Sequence, residues 1–172
     1  MSSIPTLKIG VSGVRGIAGK SLTPQIITSF AAAFGTLCGR RPVVVGTDTR
    51  PSREMVAPAV MAGLLSVGCI PVNIGVVPVP TLQFHIRRIG AAGGICVTAS
   101  HNPMEWNALK FCGSDGVTLR PNQFSELTDL YHQGVFPRVS FDEIPRTEQD
   151  RTAVEGHLER VLQELDVDSI RQ

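Results

Sequence analysis

Residues 41–75 read RPVVVGTDTRPSREMVAPAVMAGLLSVGCIPVNIG, and the order of elements in this stretch decides the class of fold. Val43, Val44 and Val45 form an unbroken apolar run, the kind a strand carries when both of its faces are covered. A polar loop over residues 46–52 follows, and Ser52 stands where it can cap a helix with Val56, Val60, Leu64 and Val67 along it and Gly68 as its stop. Pro58 within that helix predicts a kink or a late start. Residues 70–74 then return to a strand.

The alternation continues outward on both sides. Upstream, residues 7–10 are a short strand, followed by a glycine-rich loop, VSGVRGIAGKS. Thr23 and Pro24 supply an N-cap and a first-turn proline for a helix that carries Ile26, Ile27, Phe30, Ala31, Phe34 and Leu37 on one face and stops at Gly39. Downstream, residues 81–89 form a short helix ending at Gly90, and residues 95–98 a buried strand. Strand and helix in alternation predict an α/β fold, a three-layer α/β/α domain with a mixed, mainly parallel sheet.

After Ser100 the pattern changes. Residues 109–112 and 117–119, joined by a Gly-Ser-Asp-Gly turn, resemble a hairpin and predict an antiparallel edge. Residues 121–131 are a further helix, with Phe124, Leu127, Leu130 and Tyr131 as its apolar side. Residues 134–152 lack periodicity and carry Pro137 and Pro145. Residues 152–166 form an amphipathic helix with Val154, His157, Leu158, Val161, Leu162 and Leu165 on one stripe. The division expected is a main domain at 1–135, a linker at 136–151, and at 152–172 a helix that begins another domain of a longer chain.

Composition narrows the function. The 172 residues are 42% hydrophobic and 18% charged, enough to bury a sizeable core. A net charge of +1, with its cations scattered, gives no electrostatic case for nucleic acid. Cys38, Cys69, Cys96 and Cys112 are too far apart for a metal knuckle and sit in apolar settings typical of buried thiols, which fits a reduced, cytoplasmic protein. Residues 55–84 hold no charged residue, a length that could span a bilayer, but Pro58, Gly63, Gly68, Pro71, Gly75, Pro78 and Pro80 break it into shorter elements, so no membrane span is expected.

The polar residues concentrate in four loops, at residues 10–16, 46–52, 75–81 and 98–103. Loops after the C-terminal ends of parallel strands converge on one edge, where ligands bind. On that arrangement Arg15, Arg50, Ser100 and His101 face one cleft, and two guanidiniums beside a presented hydroxyl suit a phosphorylated substrate. The glycine spacing at 10, 13 and 16 is not a dinucleotide fingerprint, and it is not a P-loop. GVSGV misses the nucleophile elbow by one position, and His101 would project away from Ser100 in extended chain, so a hydrolase triad is disfavoured. What remains is a serine that can hold a phosphoryl group covalently.

Thr98-Ala99-Ser100-His101-Asn102-Pro103 resembles the phosphoserine signature of the α-D-phosphohexomutases, the family of phosphoglucomutase, phosphomannomutase and phosphoglucosamine mutase. The SGVRG, GTDTRPS and GVVPVPT loops and the WNALKF segment resemble the family in the same order, over roughly residues 7–135. The resemblance implies phosphoryl relocation between C1 and C6 of a hexose phosphate, with Ser100 as donor and acceptor and a hexose 1,6-bisphosphate as activator. It implies Lys110 and His101 as general acid and base, with Lys110 favoured, and Arg15 as the group that stabilises the moving phosphoryl. Ser12, Arg50, Asn102 and Asn107 become supports of the phosphate loop, with Arg50 bracing that loop or pairing with Asp48. A Mg²⁺ would be held by the phosphoryl oxygen of Ser100 and by carboxylates of a second domain outside this sequence. The partners implied are the hexose phosphate and the C-terminal domains of the same enzyme. A separate chain should therefore be inactive as a mutase. The competing class is a noncatalytic module that binds a sugar phosphate or a partner. Val11 and Val79 stand where the family commonly has Thr. Ala108 stands where it commonly has Gly, which matters if that position needs a positive φ.

Overall fold

The structure, a computed structural model, describes residues 6–170. Chain order gives β1 (Lys8–Gly10), β2 (Gly13–Ile17), α1 (Pro24–Cys38), β3 (Pro42–Thr47), α2 (Arg53–Ser66), β4 (Ile70–Val76), α3 (Val79–Arg88), β5 (Gly93–Val97), β6 (Trp106–Gly113), α4 (Pro121–Gln133), β7 (Glu148–Gln149), α5 (Ala153–Leu162) and α6 (Val167–Ile170). A 3₁₀ turn lies at Phe141–Glu143. The strands form one sheet in the order β1-β2-β6-β5-β3-β4-β7. From β5 through β3 and β4 to β7 the pairing is parallel; from β5 through β6 and β2 to β1 it is antiparallel.

The valine run is at the centre of the parallel half, and its alternation splits it between two cores. Val43 and Val45 join Phe30, Phe34, Ile95, Leu109 and Phe111 beneath α1, α2 and α4. Val44 faces the other way, with Leu82 and Ile86 of α3. Both faces are therefore covered here, as the unbroken apolar sequence requires. Helices α1 and α2 meet closely because Gly63 has no side chain: a Cβ there would lie 2.7 Å from the Ala31 Cβ. Thr23 accepts from the Ile26 N–H at the start of α1, and Gly39, at φ 64°, ends it. Pro58 does not delay α2. It is exposed near the start of the helix, where its missing N–H removes one hydrogen bond.

Several sequence expectations change in three dimensions. SGVRG is not a loop at a strand end: residues 13–17 are the strand β2, hairpinned to β1. The predicted hairpin over 109–119 forms, short, about the antiparallel bridge of Cys112 to Thr118, with the Leu119 N–H donating to the Phe111 carbonyl and the Gly113 N–H to the Val117 carbonyl. It is not the sheet edge: residues 109–112 belong to the interior strand β6, bonded to both β5 and β2, and the antiparallel edge is β1. The expected linker contributes β7, which pairs with β4, and α5 packs on α3. The Thr81 hydroxyl lies 2.9 Å from His157 Nδ1, the Phe84 ring stacks on His157, and Arg88 donates to the Thr152 carbonyl at 2.8 Å. Ala153 and Gly156 are the buried residues of α5, whereas Val154, Leu158, Val161 and Leu162 of the apolar stripe are exposed. No helix among the described residues is long and apolar enough to cross a membrane.

Buried ionisable groups follow the same layering. All four cysteines are buried and free, and burial pushes the Cys38 and Cys96 thiols up to about 12. His85 on α3 is wholly buried, with Asp150 Oδ2 3.0 Å from its Nε2 but outside hydrogen-bond geometry. Burial lowers the His85 pKa, outweighing the nearby carboxylate.

Candidate active site around Ser100

Strand β5 ends at Val97, and the chain leaves it through Thr98, Ala99 and Ser100 before β6 begins at Trp106. Ser100 has φ 56°; it and Arg40 are the non-glycine residues with positive φ among those described. A left-handed conformation disfavours a side chain with a Cβ and persists only where neighbours impose it. The neighbours are identifiable. The Thr98 hydroxyl accepts from the Ser100 N–H at 3.1 Å, and the Asn102 side chain and backbone N–H donate to the Ala99 carbonyl at 2.7 and 3.1 Å.

Arg50 holds the rest of the loop. Its side chain, 10% exposed, donates from Nε to Asp48 Oδ2, from Nη1 to the Pro103 and Trp106 carbonyls, and from Nη2 to the Ser100 and Asn102 carbonyls. Guanidinium has five N–H donors in a fixed fork, so every one is used. Asp48 also accepts from the Arg50 backbone N–H at 3.0 Å, which closes the brace on the end of β3. Arg50 therefore points into the loop from behind and does not face the cleft with Arg15, as the sequence pattern had placed it. Convergence of loops had set Arg50 among the cleft residues; the unpaired carbonyls of a tight turn draw it inward instead.

Asn107 is also a brace. It is fully buried, and its Nδ2 donates to the Ser52 hydroxyl at 2.8 Å, tying the start of α2 to β6. Ser52 makes no side-chain capping bond to its own helix, so the sequence role assigned to it is replaced by this cross-link.

The cavity in front of Ser100 has a volume of about 200 Å³ and is lined by Ser12, Arg15, Thr98, Ala99, Ser100, His101, Asn102, Ala108 and Lys110. Strand register explains the company. Arg15 on β2 stands opposite Ala108 on β6, and Lys110 is two residues farther along the same face. Ser12 reaches the cavity from the β1–β2 turn. Ser100 and His101 are exposed at its mouth, Arg15 and Lys110 half-buried within it. The Ser100 hydroxyl and His101 Nδ1 are 3.4 Å apart. The two side chains do not diverge, because the left-handed turn at Ser100 breaks the extended geometry assumed from sequence. Among the described residues, the Arg15 and Lys110 side chains make no hydrogen bond or ion pair, while their backbones are held in the sheet. Two cations facing an exposed hydroxyl in a small cavity can bind an oxyanion and neutralise charge on a group that the hydroxyl carries.

Ala108 is buried in regular strand and is not among the residues with positive φ, so its Cβ is compatible with the backbone there. The loop at residues 75–81 does not line this cavity. Among the described residues no group of three or more His, Cys, Asp or Glu side chains could hold a metal ion, and Asp48, the carboxylate nearest in sequence to the brace, is engaged by Arg50. Thr98 is a residue that sequence reading passed over; its place in the Thr-Ala-Ser run was the available signal.

Residues 6–138 match the family model described as phosphoglucomutase/phosphomannomutase, alpha/beta/alpha domain I. Among curated relatives, a protein of Methanopyrus kandleri named "Probable phosphoglucosamine mutase" is 40% identical over 92% of this chain and 35% of its own length. A phosphoglucomutase/phosphomannomutase of Thermococcus kodakarensis is 36% identical over 95% of this chain and 37% of its own. Among solved structures, a phosphoglucomutase/phosphomannomutase family protein of Burkholderia thailandensis superposes with a TM-score of 0.74 at 26% identity, covering 92% of this chain and 37% of that one. The chain thus spans little more than a third of the length of these relatives.

Proposed function

The chain belongs to the phosphoglucomutase/phosphomannomutase family, and from that membership and the geometry around Ser100 we propose that it is the phosphoserine-bearing first domain of a phosphohexomutase. The observation that carries the proposal is the presentation of Ser100: a strained backbone, held from behind by four donors of Arg50 while the fifth ties it to Asp48, projects one hydroxyl into a cavity lined by two cations.

In the forward step the Ser100 Oγ–P bond breaks as a hydroxyl oxygen of a hexose monophosphate bonds to phosphorus. The proton of that hydroxyl passes to Lys110, which must first have released its own proton to solvent to act as the base, or to His101 at the cavity mouth, and Arg15 binds the equatorial phosphoryl oxygens as charge moves across them. The resulting hexose 1,6-bisphosphate reorients and returns its other phosphoryl group to Ser100 by the reverse step, so that phosphate moves between C1 and C6 with no net loss. The same bisphosphate serves as activator, since it can load an unmodified Ser100.

A Mg²⁺ fits this donor set only in part: the phosphoryl oxygen of Ser100 is the ligand this chain would supply, and the carboxylates would come from the C-terminal domains that the longer relatives have room for. Bound there, the metal would neutralise phosphoryl charge. Positioning and electrostatics are the main levers in phosphoryl transfer, and part of each would come from those domains. The 172-residue chain alone is therefore expected to show no mutase turnover on glucose 1-phosphate. Four buried thiols fit a cytoplasmic setting.

The test is intact-protein mass after incubation with glucose 1,6-bisphosphate and Mg²⁺. One phosphoryl group on the wild type, absent from Ser100→Ala, supports the proposal. A phosphoryl group that persists in Ser100→Ala sinks it.

A further inference from the structure

A serine hydroxyl keeps one direction only when both peptide planes flanking its Cα are held, since φ and ψ are the soft rotations of the backbone at that atom. At Ser100 the plane on the C-terminal side is held by Arg50, whose Nη2 donates to the Ser100 carbonyl at 3.0 Å. The plane on the N-terminal side carries the Ser100 N–H, and its partner is the Thr98 hydroxyl at 3.1 Å. The other bonds that close the loop end on the carbonyls of Ala99, Asn102, Pro103 and Trp106 and leave that N–H untouched.

Thr98 is itself fixed by the sheet. Its backbone N–H donates to the Ala108 carbonyl at 3.0 Å, and Ala108 stands opposite Arg15 on β2. The residue is buried where β5 ends, and it lines the cavity beside Ser100. A threonine hydroxyl bonded to the N–H two residues on is a local device for turning a chain out of regular structure. Here it passes the register of β2 and β6 to the amide of Ser100. Arg50, which grips carbonyls, restrains ψ at Ser100 and leaves φ to Thr98. A residue with a Cβ, once released from φ 56°, relaxes to the extended or right-handed regions.

We propose that Thr98 is a further positioning residue: by accepting from the Ser100 N–H, its hydroxyl keeps Ser100 left-handed and aims the Ser100 Oγ into the cavity with Arg15 and Lys110. The inference rests on the reading of Ser100 as the phosphoryl carrier. It concerns the hydroxyl at residue 98 alone, so serine should serve there and valine, which has the shape of threonine without the O–H, should not.

The first arm of the test is the rate at which glucose 1,6-bisphosphate and Mg²⁺ load Ser100, followed by intact mass, in the wild type, Thr98→Val, Thr98→Ser and Leu130→Ala. A misplacement of about 1 Å costs on the order of a hundredfold in rate, so Thr98→Val should load about 10- to 100-fold more slowly and Thr98→Ser within about threefold of the wild type. Leu130 packs on the core from α4 and does not line the cavity. Leu130→Ala should therefore melt lower yet load as the wild type does, which separates lost positioning from lost stability. Wild-type loading by Thr98→Val, loading by Thr98→Ser as slow as by Thr98→Val, or equal slowing in Leu130→Ala overturns the assignment. The second arm needs no variant: in the wild type the Ser100 amide should exchange with deuterium at least about tenfold more slowly than an unstructured amide. Exchange at the unstructured rate also overturns it. This arm involves no phosphoryl group, so it fails or holds apart from the phosphoserine reading, which the mass of Ser100→Ala tests. A wild type that never loads sinks that reading, and this inference with it.

Discussion

The parallel and antiparallel halves of the sheet share strands of one polypeptide but spend their residues differently. In the parallel half, β3 has both faces covered, so Val43, Val44 and Val45 are all fully buried. In the antiparallel half, α1 and α4 cover one face, where Val14, Leu109 and Phe111 are buried, while the opposite face carries Arg15, Lys110 and Lys8. One strand displays both habits: on β6, Phe111 is 1% exposed beneath Phe30 and Phe34, and its neighbour Lys110 opens into the Ser100 cavity. The lesson is that the covered half supplies rigidity and the open face supplies chemistry. Arg50 links the two, from the end of β3 to the loop that precedes β6.

The sharpest way to break this comparison is to truncate on the covered side. Phe111→Ala should lose about 3–5 kcal/mol of unfolding free energy, for lost burial and the cavity left among the aromatic rings. Urea denaturation measures it, and a loss below about 1 kcal/mol would mean the core beneath α1 can collapse around the gap.

At the link, Arg50→Lys keeps the charge beside Asp48 but offers three donors to five acceptors. It should cost about 2–4 kcal/mol, because at least two buried carbonyl or carboxylate oxygens lose their partner. The loading of Ser100 from glucose 1,6-bisphosphate should fall with it. Wild-type loading in this variant would show that Arg50 does not hold the loop in its reactive form.

A third measurement uses pH to probe the covered half alone. Burial lowers the His85 pKa below its ordinary value of 6.5. The unfolded chain therefore binds the proton more readily, and stability should fall as pH drops from about 7 to 5. His85→Gln should flatten that part of the melting-temperature profile. Acid loss at lower pH should remain, since Asp150, against its own burial, is held below the usual carboxylate range by hydrogen bonds from Thr152. An unchanged slope in His85→Gln would place the titration elsewhere.

The smallest effect on stability belongs to the open face. Lys110→Ala should shift unfolding free energy by no more than about 0.5 kcal/mol, as for a surface change that empties no core. The loading of Ser100 from glucose 1,6-bisphosphate should fall steeply in the same variant. The pair Phe111→Ala and Lys110→Ala thus separates stability from chemistry across one peptide bond.

The sequence by itself determined the α/β class, the order of the main helices and strands, and the identity of Ser100 as the presented hydroxyl. These follow from local periodicity, capping and proline placement, which act over a few residues and are written in order along the chain. For Arg50 the sequence offered both a place in the cleft and a role as a brace or a partner of Asp48, and the fold decided for the brace. Pairing across distance was another matter. That residues 13–17 form a strand, that β6 lies inside the sheet, and that β7 and α5 fold back on α3 depend on which surfaces meet, and similar local patterns fit several arrangements. Tertiary structure alone decided that Ser100 turns left-handed and brings its hydroxyl within 3.4 Å of His101. It alone set Lys8 opposite Arg15, since strand register is fixed by side chains competing for one buried face and by no residue acting singly.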